Sequence, residues 1–301
     1  MEIRLDEQVA IVTGAGRGLG RSHALALADK GAKVIVNDLA GDGEVSKNAE
    51  SVANEIKGNG GEAIANGSNV ADFDQVQSMV AEAMETWGRV DILVNNAGIL
   101  RDKTFMKMSL EDMRLVIDVH LMGSMHCTKA VWEIMREQNY GRIVLTSSSS
   151  GLFGNFGQTN YGAAKMAMLG IMNTLHLEGM KYNIKVNCLA PAAGTAMTEG
   201  LFPEPVFKLL SPESVSPGVV FLCSQEAPSR KVLAAGGGSF AVFKGFETEG
   251  VNLLPNVSAE DVAKNWQAIC DNEGMEEPQS GSKQTEKFAI QGAKKLGIDL
   301  S

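Results

Sequence analysis

Tyr161 and Lys165 are the pair of side chains in this sequence best suited to acid/base chemistry. They lie four residues apart in SSSSGLFGNFGQTNYGAAK, so a helix that starts near Asn160 would project both from one face. An ammonium beside a phenol favours the phenolate, and a tyrosine, with a pKa of about 10, needs such help to act as a base near neutral pH. Ser148 would follow the strand predicted over residues 141–146 and could hydrogen-bond the same substrate oxygen. These three side chains are the candidate catalytic residues.

A glycine-rich segment near the N-terminus supplies the context for this pair, because a tyrosine and a lysine at helical spacing are a weak signal by themselves. The run VAIVT precedes GAGRGLG, and an amphipathic stretch and a second apolar run, KVIVND, follow. Strand, glycine turn, helix and strand within about 30 residues are typical of a mononucleotide-binding unit. Gly14 would form the tight turn, Gly18 would let the backbone approach a pyrophosphate, and Gly20 would let the helix pack closely on its strand.

Two residues beside that turn carry opposite signals about the cofactor. Asp38 ends the second strand, where a carboxylate would accept hydrogen bonds from the adenosine ribose and repel a 2′-phosphate. Arg17, immediately before Gly18, could instead pair with that phosphate. The carboxylate excludes a dianion by charge and volume, whereas the arginine can swing into solvent. The sequence therefore favours NAD over NADP.

Further polar and small residues follow the later strands, at the edge where open parallel sheets bind ligands. Asn69 lies near the end of a strand predicted over residues 62–70, where its amide could meet adenine, and Asn96 begins a turn that ends at Gly98. An irregular turn over residues 191–198 would lie at the nicotinamide end. The candidate cofactor contacts are Gly14, Arg17, Gly18, Leu19, Gly20, Asp38, Asn69, Val70, Asn96, Ala97, Gly98, Tyr161, Lys165, Pro191 and Thr198.

Alternating strands and helices over residues 1–245 predict an α/β fold, a single Rossmann-type doubly wound parallel sheet with helices on both faces. Residues 246–301 are predicted to be a C-terminal helical extension, packed on the same domain or on a partner subunit. A helical stretch over residues 110–136, broken near Gly123, and the helix after Tyr161 are the candidate interface of a homodimer or homotetramer. The strands are predicted at residues 9–13, 33–38, 62–70, 141–146 and 184–190, with a further strand and its turn over residues 91–98 and a last strand, interrupted by glycines, over residues 232–243.

Composition excludes several classes of partner. The chain of 301 residues is 44% apolar and carries a net charge of −9, which argues against nucleic acid or an anionic membrane as a main partner. No apolar run reaches the length of about 18 residues that suggests a membrane span, and the first residues enter a strand rather than a signal peptide. We therefore expect a cytoplasmic protein. The four cysteines and four histidines lack metal-ligand spacing, so we expect buried reduced thiols and no metal.

Taken together, residues 5–240 resemble the short-chain dehydrogenase/reductase family. The resemblance rests on TGAGRGLG, NNAG, the serine at the strand end and YGAAK, in the order and spacing of the family. Within it, VNDLAGD, NNAGILRD, SGLFGNFGQTNYGAAK, APAAGTAMT and the tail KNWQAICD resemble the (3R)-hydroxyacyl-CoA dehydrogenase units of peroxisomal multifunctional β-oxidation enzymes. The hydratase and sterol-carrier domains of those enzymes are not in this sequence, and its last residues, GIDLS, are not the peroxisomal S-K-L signal. We therefore expect a free-standing, non-peroxisomal enzyme.

The resemblance implies an NAD-dependent enzyme that interconverts a secondary alcohol and a ketone, with an acyl-CoA, a (3R)-3-hydroxyacyl-CoA, as the expected substrate. The alcohol oxygen would lie between Ser148 and Tyr161, with Tyr161 as the base. Lys165 would lower the tyrosine pKa and hold the nicotinamide ribose. His120 replaces the helix asparagine of the family, and would either support a proton relay or be an interior histidine.

Two alternatives remain open at this point. The motifs address only the cofactor and the carbinol, so the substrate could be a hydroxysteroid or another bulky alcohol. A protein of another class, a non-catalytic nucleotide-binding redox sensor or scaffold, could also carry this fold. The intact set of Ser148, Tyr161 and Lys165 argues against the sensor, which need not keep all three.

Overall fold

The structure, a computed structural model, describes residues 2–41, 44–194, 203–255 and 257–300. The chain divides into two compact units, Met1–Phe243 and Lys244–Ser301. The first unit holds the sheet and every predicted site residue that the structure describes. How the extension packs, on the same domain or on a partner subunit, stays a prediction.

The strands of the first unit form where short apolar, β-branched runs occur, and those at the centre of the sheet are fully buried. Helices on both faces of a parallel sheet bury such strands on both sides, so apolar and polar residues do not alternate along each strand. The strands are β1 (Val9–Thr13), β2 (Lys33–Asn37), β3 (Leu39–Gly41), β4 (Glu44–Val45), β5 (Ala63–Asn66), β6 (Ile92–Asn95), β7 (Gly141–Thr146), β8 (Ile184–Pro191), β9 (Val232–Gly236) and β10 (Ser239–Phe243).

Eight of these strands form one sheet, in the order β10-β9-β8-β7-β6-β1-β2-β5. Every pair from β5 to β9 is parallel, and only the edge pair β9 and β10 is antiparallel. The chain runs outward from β1 through β2 to β5 and then returns to β6 on the other side of β1. The order therefore reverses between β1 and β6, and in open α/β sheets ligands bind at the carboxyl ends of such a pair.

Helices cover both faces of this sheet, and each face has its own apolar core. On one face, α1, α2 and α9 contribute buried residues such as Leu27, Ile56 and Val219. On the other, α3, α5 and α7 contribute residues such as Met79 and Met135. The predicted doubly wound fold is confirmed. The helices of the first unit are α1 (Gly18–Asp29), α2 (Lys47–Gly58), α3 (Phe73–Trp87), α4 (Leu110–Ile117), α5 (Gly123–Gln138), α6 (Ser149–Phe153), α7 (Thr159–Gly179), α8 (Glu204–Leu209) and α9 (Ser216–Cys223).

Two predicted strands differ in the structure. The segment 232–243 is a hairpin rather than one strand, because Gly237 and Gly238 have φ of +55° and +76° and form the turn between β9 and β10. The strand predicted over residues 62–70 ends at Asn66, where the Asn66 side chain accepts a hydrogen bond from the backbone N–H of Ser68. Turn chemistry therefore overrides the extended pattern at both places.

The helical stretch predicted to break near Gly123 is interrupted just before that residue. One π-helical turn, Asp118–Met122, joins α4 to α5 and contains His120. A side chain at Gly123 would come within 2.8 Å of the Val70 side chain, so the close approach of this helix requires glycine. Such π turns occur frequently at functional sites.

The second unit, Lys244–Ser301, is helical as predicted. Its helices are α10 (Ala259–Lys264), which begins with the expected capping box at Ser258, α11 (Trp266–Ile269) and α12 (Gly281–Leu296). The Lys287 ammonium, largely buried, donates to the carbonyl of Thr248 at 2.6 Å and pairs with Glu247 at 3.3 Å. Cys270 is exposed, whereas the sequence predicted a buried thiol; Cys127, Cys188 and Cys223 are buried. Within the described residues, no helix combines the length and apolarity needed to cross a membrane.

Candidate active site

A cleft of about 680 Å³ opens at the carboxyl ends of β1 and β6, where the strand order reverses. It is lined by most of the predicted site residues and by four that the sequence analysis did not single out, Ile99, Leu100, Arg101 and Thr146. Its lining residues are Gly14, Arg17, Gly18, Leu19, Gly20, Asp38, Asn96, Gly98, Ile99, Leu100, Arg101, His120, Thr146, Tyr161, Lys165 and Pro191.

The glycine loop has no space for side chains. Gly14 has a φ of +62°, and a Cβ there would come within 2.8 Å of the Cα of Ala97. Gly18, with a φ of +54°, begins α1. A Cβ on Gly20 would overlap the carbonyl of Gly14, so this glycine lets the helix approach the turn rather than the strand. The free N–H groups of the first turn of α1 are those that favour a phosphate.

Thr13 and Asn96 tie the ends of β1 and β6 together. The Asn96 side-chain amide donates to the carbonyls of Thr13 at 3.0 Å and of Gly14 at 3.1 Å. The hydroxyl of Thr13 accepts from the backbone N–H groups of Asn96 and Ala97, both at 3.0 Å. Asn96 therefore braces the glycine turn. Thr13 is a site residue that the sequence analysis missed, although it directly precedes Gly14.

The carboxylate of Asp38 is held by a neighbour that the sequence did not reveal. The hydroxyl of Ser46, which is buried, donates to Asp38 Oδ2 at 2.7 Å and accepts from the backbone N–H of Ala49 at 3.0 Å as the N-cap of α2. A side chain on Gly16 would overlap the same carboxylate oxygen. Asp38 thus stands in a fixed orientation beside the glycine loop.

Four predicted cofactor contacts lie outside the cleft lining or outside the described residues. Ala97 does not line the cleft, although its backbone N–H donates to the Thr13 hydroxyl beside it. The Asn69 side chain accepts from the backbone N–H of Ala71 at 3.0 Å and turns the chain toward α3, so the structure does not bring its amide to the cleft. Val70 is buried against Gly123. Both predictions followed from a strand that in fact ends earlier. Thr198 lies outside the described residues.

Ser148, Tyr161 and Lys165 converge where β7 meets α7. Ser148 is the N-cap of α6, and its hydroxyl accepts from the backbone N–H of Ser150 at 3.2 Å and hydrogen-bonds the Tyr161 phenol. One helical turn after Tyr161, the buried Lys165 ammonium donates to the carbonyl of Thr146 at 2.7 Å. The Ser147 hydroxyl donates to the carbonyl of Lys165 at 2.8 Å, which fastens α7 to the end of β7.

Burial dominates the electrostatics of this pair. It raises the pKa of Tyr161, against a lowering by the hydrogen bond from Ser148 and with a further rise from the charge of Asp102. Burial also lowers the pKa of the Lys165 ammonium to about 7. The expected lowering of the tyrosine pKa is therefore not found in the chain by itself, because burial outweighs the hydrogen bond from Ser148.

His120 forms part of the cleft wall, next to Tyr161. The two rings meet edge to face with their centres 5.2 Å apart. His120 Nε2 lies 3.0 Å from the backbone nitrogen of Ile99 and 2.8 Å from its carbonyl oxygen. Burial, and then the charge of Lys165, lower the pKa of His120 to about 3, so the ring is neutral. Gly98 packs directly against this ring, and a Cβ at Gly98 would overlap the imidazole of His120.

Comparison with known proteins gives a consistent result. The family model of the short chain dehydrogenases matches residues 8–205. A short-chain type dehydrogenase/reductase of Mycobacterium tuberculosis is 48% identical over 275 residues, which are 90% of this chain and 96% of that protein. The peroxisomal multifunctional enzyme type 2 of Mus musculus is 45% identical over 286 residues, 92% of this chain but only 38% of that enzyme.

A solved structure supports the same assignment. The full-length peroxisomal multifunctional enzyme type 2 of Drosophila melanogaster matches with a TM-score of 0.83 and 36% identity, over 97% of this chain and 50% of that one. The chain therefore spans half or less of these multifunctional relatives, but nearly the whole of the mycobacterial one.

Proposed function

The chain belongs to the short-chain dehydrogenase family, and from that premise we propose that it oxidises (3R)-3-hydroxyacyl thioesters to 3-oxoacyl thioesters with NAD. Membership makes the chain an oxidoreductase that uses a nicotinamide dinucleotide and a small-molecule substrate. The choice of NAD and of an acyl-CoA substrate is the proposal. The observation that carries it is that Tyr161, which Ser148 hydrogen-bonds, and Lys165 line the same cleft as the glycine loop.

The residues present fit a dinucleotide. The glycine loop, in which Cβ atoms would collide with Ala97 and Gly14, leaves its backbone open to a pyrophosphate at the start of α1. Asp38 at the end of β2 would accept from the adenosine ribose, and its fixed carboxylate would repel a 2′-phosphate. Lys165 would hold the nicotinamide ribose. The bound cofactor would supply the hydride acceptor.

The chain's own residues would handle the proton. The alcohol oxygen of the substrate would lie between the Ser148 hydroxyl and the Tyr161 phenol, and the phenolate of Tyr161 would take the proton as the ketone forms. Ser148 would orient that oxygen and stabilise its partial charge. The ammonium form of Lys165, which is in equilibrium with the neutral amine, would stabilise the phenolate of Tyr161. His120 would hold the tyrosine ring in place through their edge-to-face contact.

The substrate proposal rests on the multifunctional relatives. They match this chain over nearly its full length, including the C-terminal extension that begins at Lys244. The alternative within this enzyme class is a dehydrogenase of hydroxysteroids or other bulky alcohols. The side chains around Tyr161 would contact only the carbinol of the substrate, so they do not select the rest of the substrate molecule.

A substrate panel tests this proposal. Purified protein is assayed for NAD reduction with matched (3R)- and (3S)-3-hydroxyacyl-CoA and with one hydroxysteroid, and Tyr161→Phe is assayed beside it. We expect turnover of the (3R) thioester and a loss of about 10²–10⁴-fold in kcat in the variant. Tyr182→Phe, at a half-buried tyrosine outside the cleft whose hydroxyl accepts a hydrogen bond from Arg136, is the matched control and should retain full activity. Turnover of the steroid alone would contradict the proposal.

A further inference from the structure

Arg101 is a cation in the cleft wall to which the reaction assigns no task. It follows the turn after β6 and lines the same cleft as Tyr161, Lys165 and His120. Its side chain is 47% exposed, so the guanidinium reaches solvent at the cleft. Guanidinium groups with this exposure are suited to bind phosphate or carboxylate groups of a ligand, often with two parallel hydrogen bonds.

Three hydrogen bonds fix the loop that carries Arg101 to the segment before the catalytic tyrosine. The Asn160 amide donates to the carbonyl of Arg101 at 3.2 Å, and the Gln158 amide donates to the carboxylate of Asp102 at 2.6 Å. The backbone N–H of Lys103 donates to the carbonyl of Gly157 at 3.0 Å. Arg101 is therefore held at the reacting end of the cleft, whereas Arg17 stands at the glycine loop.

The counterion of Arg101 is shared and loosely held. Asp112, in the first turn of α4, lies 3.7 Å from Arg101 Nε and 3.4 Å from Lys103 Nζ. The only hydrogen bond of the Arg101 guanidinium among the described residues goes to the carbonyl of Leu100, at 2.8 Å. An ion pair at 3.7 Å in which the guanidinium is half-exposed contributes little to stability. An incoming anion can therefore replace Asp112 as the partner of Arg101 at small cost.

We propose that Arg101, with Lys103 beside it, binds a phosphate of the carrier that delivers the acyl substrate, and that Asp112 holds the two cations until that anion arrives. This inference rests on the proposed function, since it assumes a thioester substrate. Coenzyme A and the phosphopantetheine arm of an acyl carrier protein both present such phosphates. The net charge of −9 makes a local cation necessary, because the chain as a whole repels an anionic substrate.

The test compares one (3R)-3-hydroxyacyl group on four carriers: pantetheine, which has no phosphate, 4′-phosphopantetheine, coenzyme A and an acyl carrier protein. For Arg101→Gln we expect KM to rise about tenfold on phosphate-bearing carriers. KM for the pantetheine thioester and for NAD should stay unchanged. Comparison of the CoA and carrier-protein arms identifies the source of the phosphate. Arg114→Gln is the control, because Arg114 is exposed and lies outside the cleft, in α4, the helix that also carries Asp112.

Asp112→Asn separates binding from a structural role. If Asp112 competes with the substrate phosphate, this variant should lower KM for the CoA thioester about two- to fivefold, opposite in sign to Arg101→Gln. A rise in KM in both variants, or an equal rise for pantetheine and CoA thioesters, would overturn the inference. A rise in KM for NAD would assign Arg101 to the cofactor and also overturn it. Absence of turnover on every thioester in the unaltered protein would instead refute the proposed function.

Discussion

The Lys165 ammonium lies 5.6 Å from the centre of the Tyr161 ring and donates to the carbonyl of Thr146, and the lysine side chain is buried. This arrangement lowers the pKa of Lys165 to about 7 and raises that of Tyr161, so each residue is held away from its charged form. Of the two pKa values, only that of Lys165 moves toward neutrality, and a group with such a pKa exchanges its proton readily near pH 7. The site therefore costs stability, and the cost can be measured.

Replacement of Lys165 by Met should stabilise the chain while it abolishes activity. The pKa of Lys165 is about 7 in the folded chain and about 10.4 in the unfolded chain. Protonation of this lysine therefore lowers the free energy of unfolding below pH 10.4. This loss of stability is largest below pH 7 and shrinks as the pH rises from 7 to 10. After the loss of the hydrogen bond to Thr146, we expect a gain of about 2 kcal/mol at pH 7.

Urea denaturation at pH 7 and at pH 9.5 checks this, and the gain should be smaller at the higher pH. Lys33→Met is the control, because Glu7 raises the pKa of Lys33 and no gain is expected there. A variant at Lys165 less stable than the unaltered chain at pH 7 would contradict the account.

The pH profile of oxidation should respond in opposite directions to two neighbours of Tyr161. The Ser148 hydrogen bond lowers the phenol pKa and the Asp102 charge raises it. Since the phenolate is the base, activity rises with pH through the tyrosine pKa. Ser148→Ala should therefore move the rising part of the pH profile to higher pH, and Asp102→Asn should move it to lower pH. The check is kcat/KM against pH between 6 and 10, and shifts of the same sign would refute the assignment of Tyr161 as the base.

Ser46 should influence the choice between NAD and NADP through Asp38. In Ser46→Ala the carboxylate loses its 2.7 Å hydrogen bond and can turn away from the ribose position, so the ratio of KM for NADP to KM for NAD should fall about three- to tenfold. The variant also loses a helix N-cap, worth about 1 kcal/mol. Ser109→Ala is the control for the loss of a helix N-cap, because the Ser109 hydroxyl accepts a hydrogen bond from the backbone N–H of Asp112 at the start of α4. Equal KM ratios in the two variants would argue against a positioning role.

Gly98 should tolerate no side chain because His120 occupies the space. In Gly98→Ala the new methyl would overlap the imidazole, so we expect a loss of about 1–3 kcal/mol in stability and reduced kcat as the ring moves against Tyr161. Gly170→Ala, in α7 with open space around it, is the control and should raise stability by about 0.5–1 kcal/mol. Thermal unfolding compares the two. An unchanged Gly98→Ala protein would show that His120 does not depend on this contact.

The sequence predicted the features that follow from local pattern. Apolar runs located the central strands, and the glycine loop and the acid at position 38 marked the site where the strand order reverses. Ser46 and Arg101 escaped notice because their tasks depend on contacts between segments distant in the chain or on cleft shape, for which no short pattern exists. The strand predicted to carry Asn69 and Val70 ends early, at Asn66, because an asparagine turn follows it, and neither residue lines the cleft. The pKa of Tyr161 was misjudged because the extent of burial follows only from packing.

Transfer of a labelled hydrogen tests the central claim most directly. A (3R)-3-hydroxyacyl-CoA carrying deuterium at C3 is incubated with NAD and the protein, and the reduced cofactor is analysed by mass spectrometry. The account predicts one deuterium in the reduced nicotinamide from the (3R) substrate, none from its (3S) isomer, and loss of the transfer in Tyr161→Phe. Equal labelling from both isomers, or labelling that persists in the variant, would contradict it.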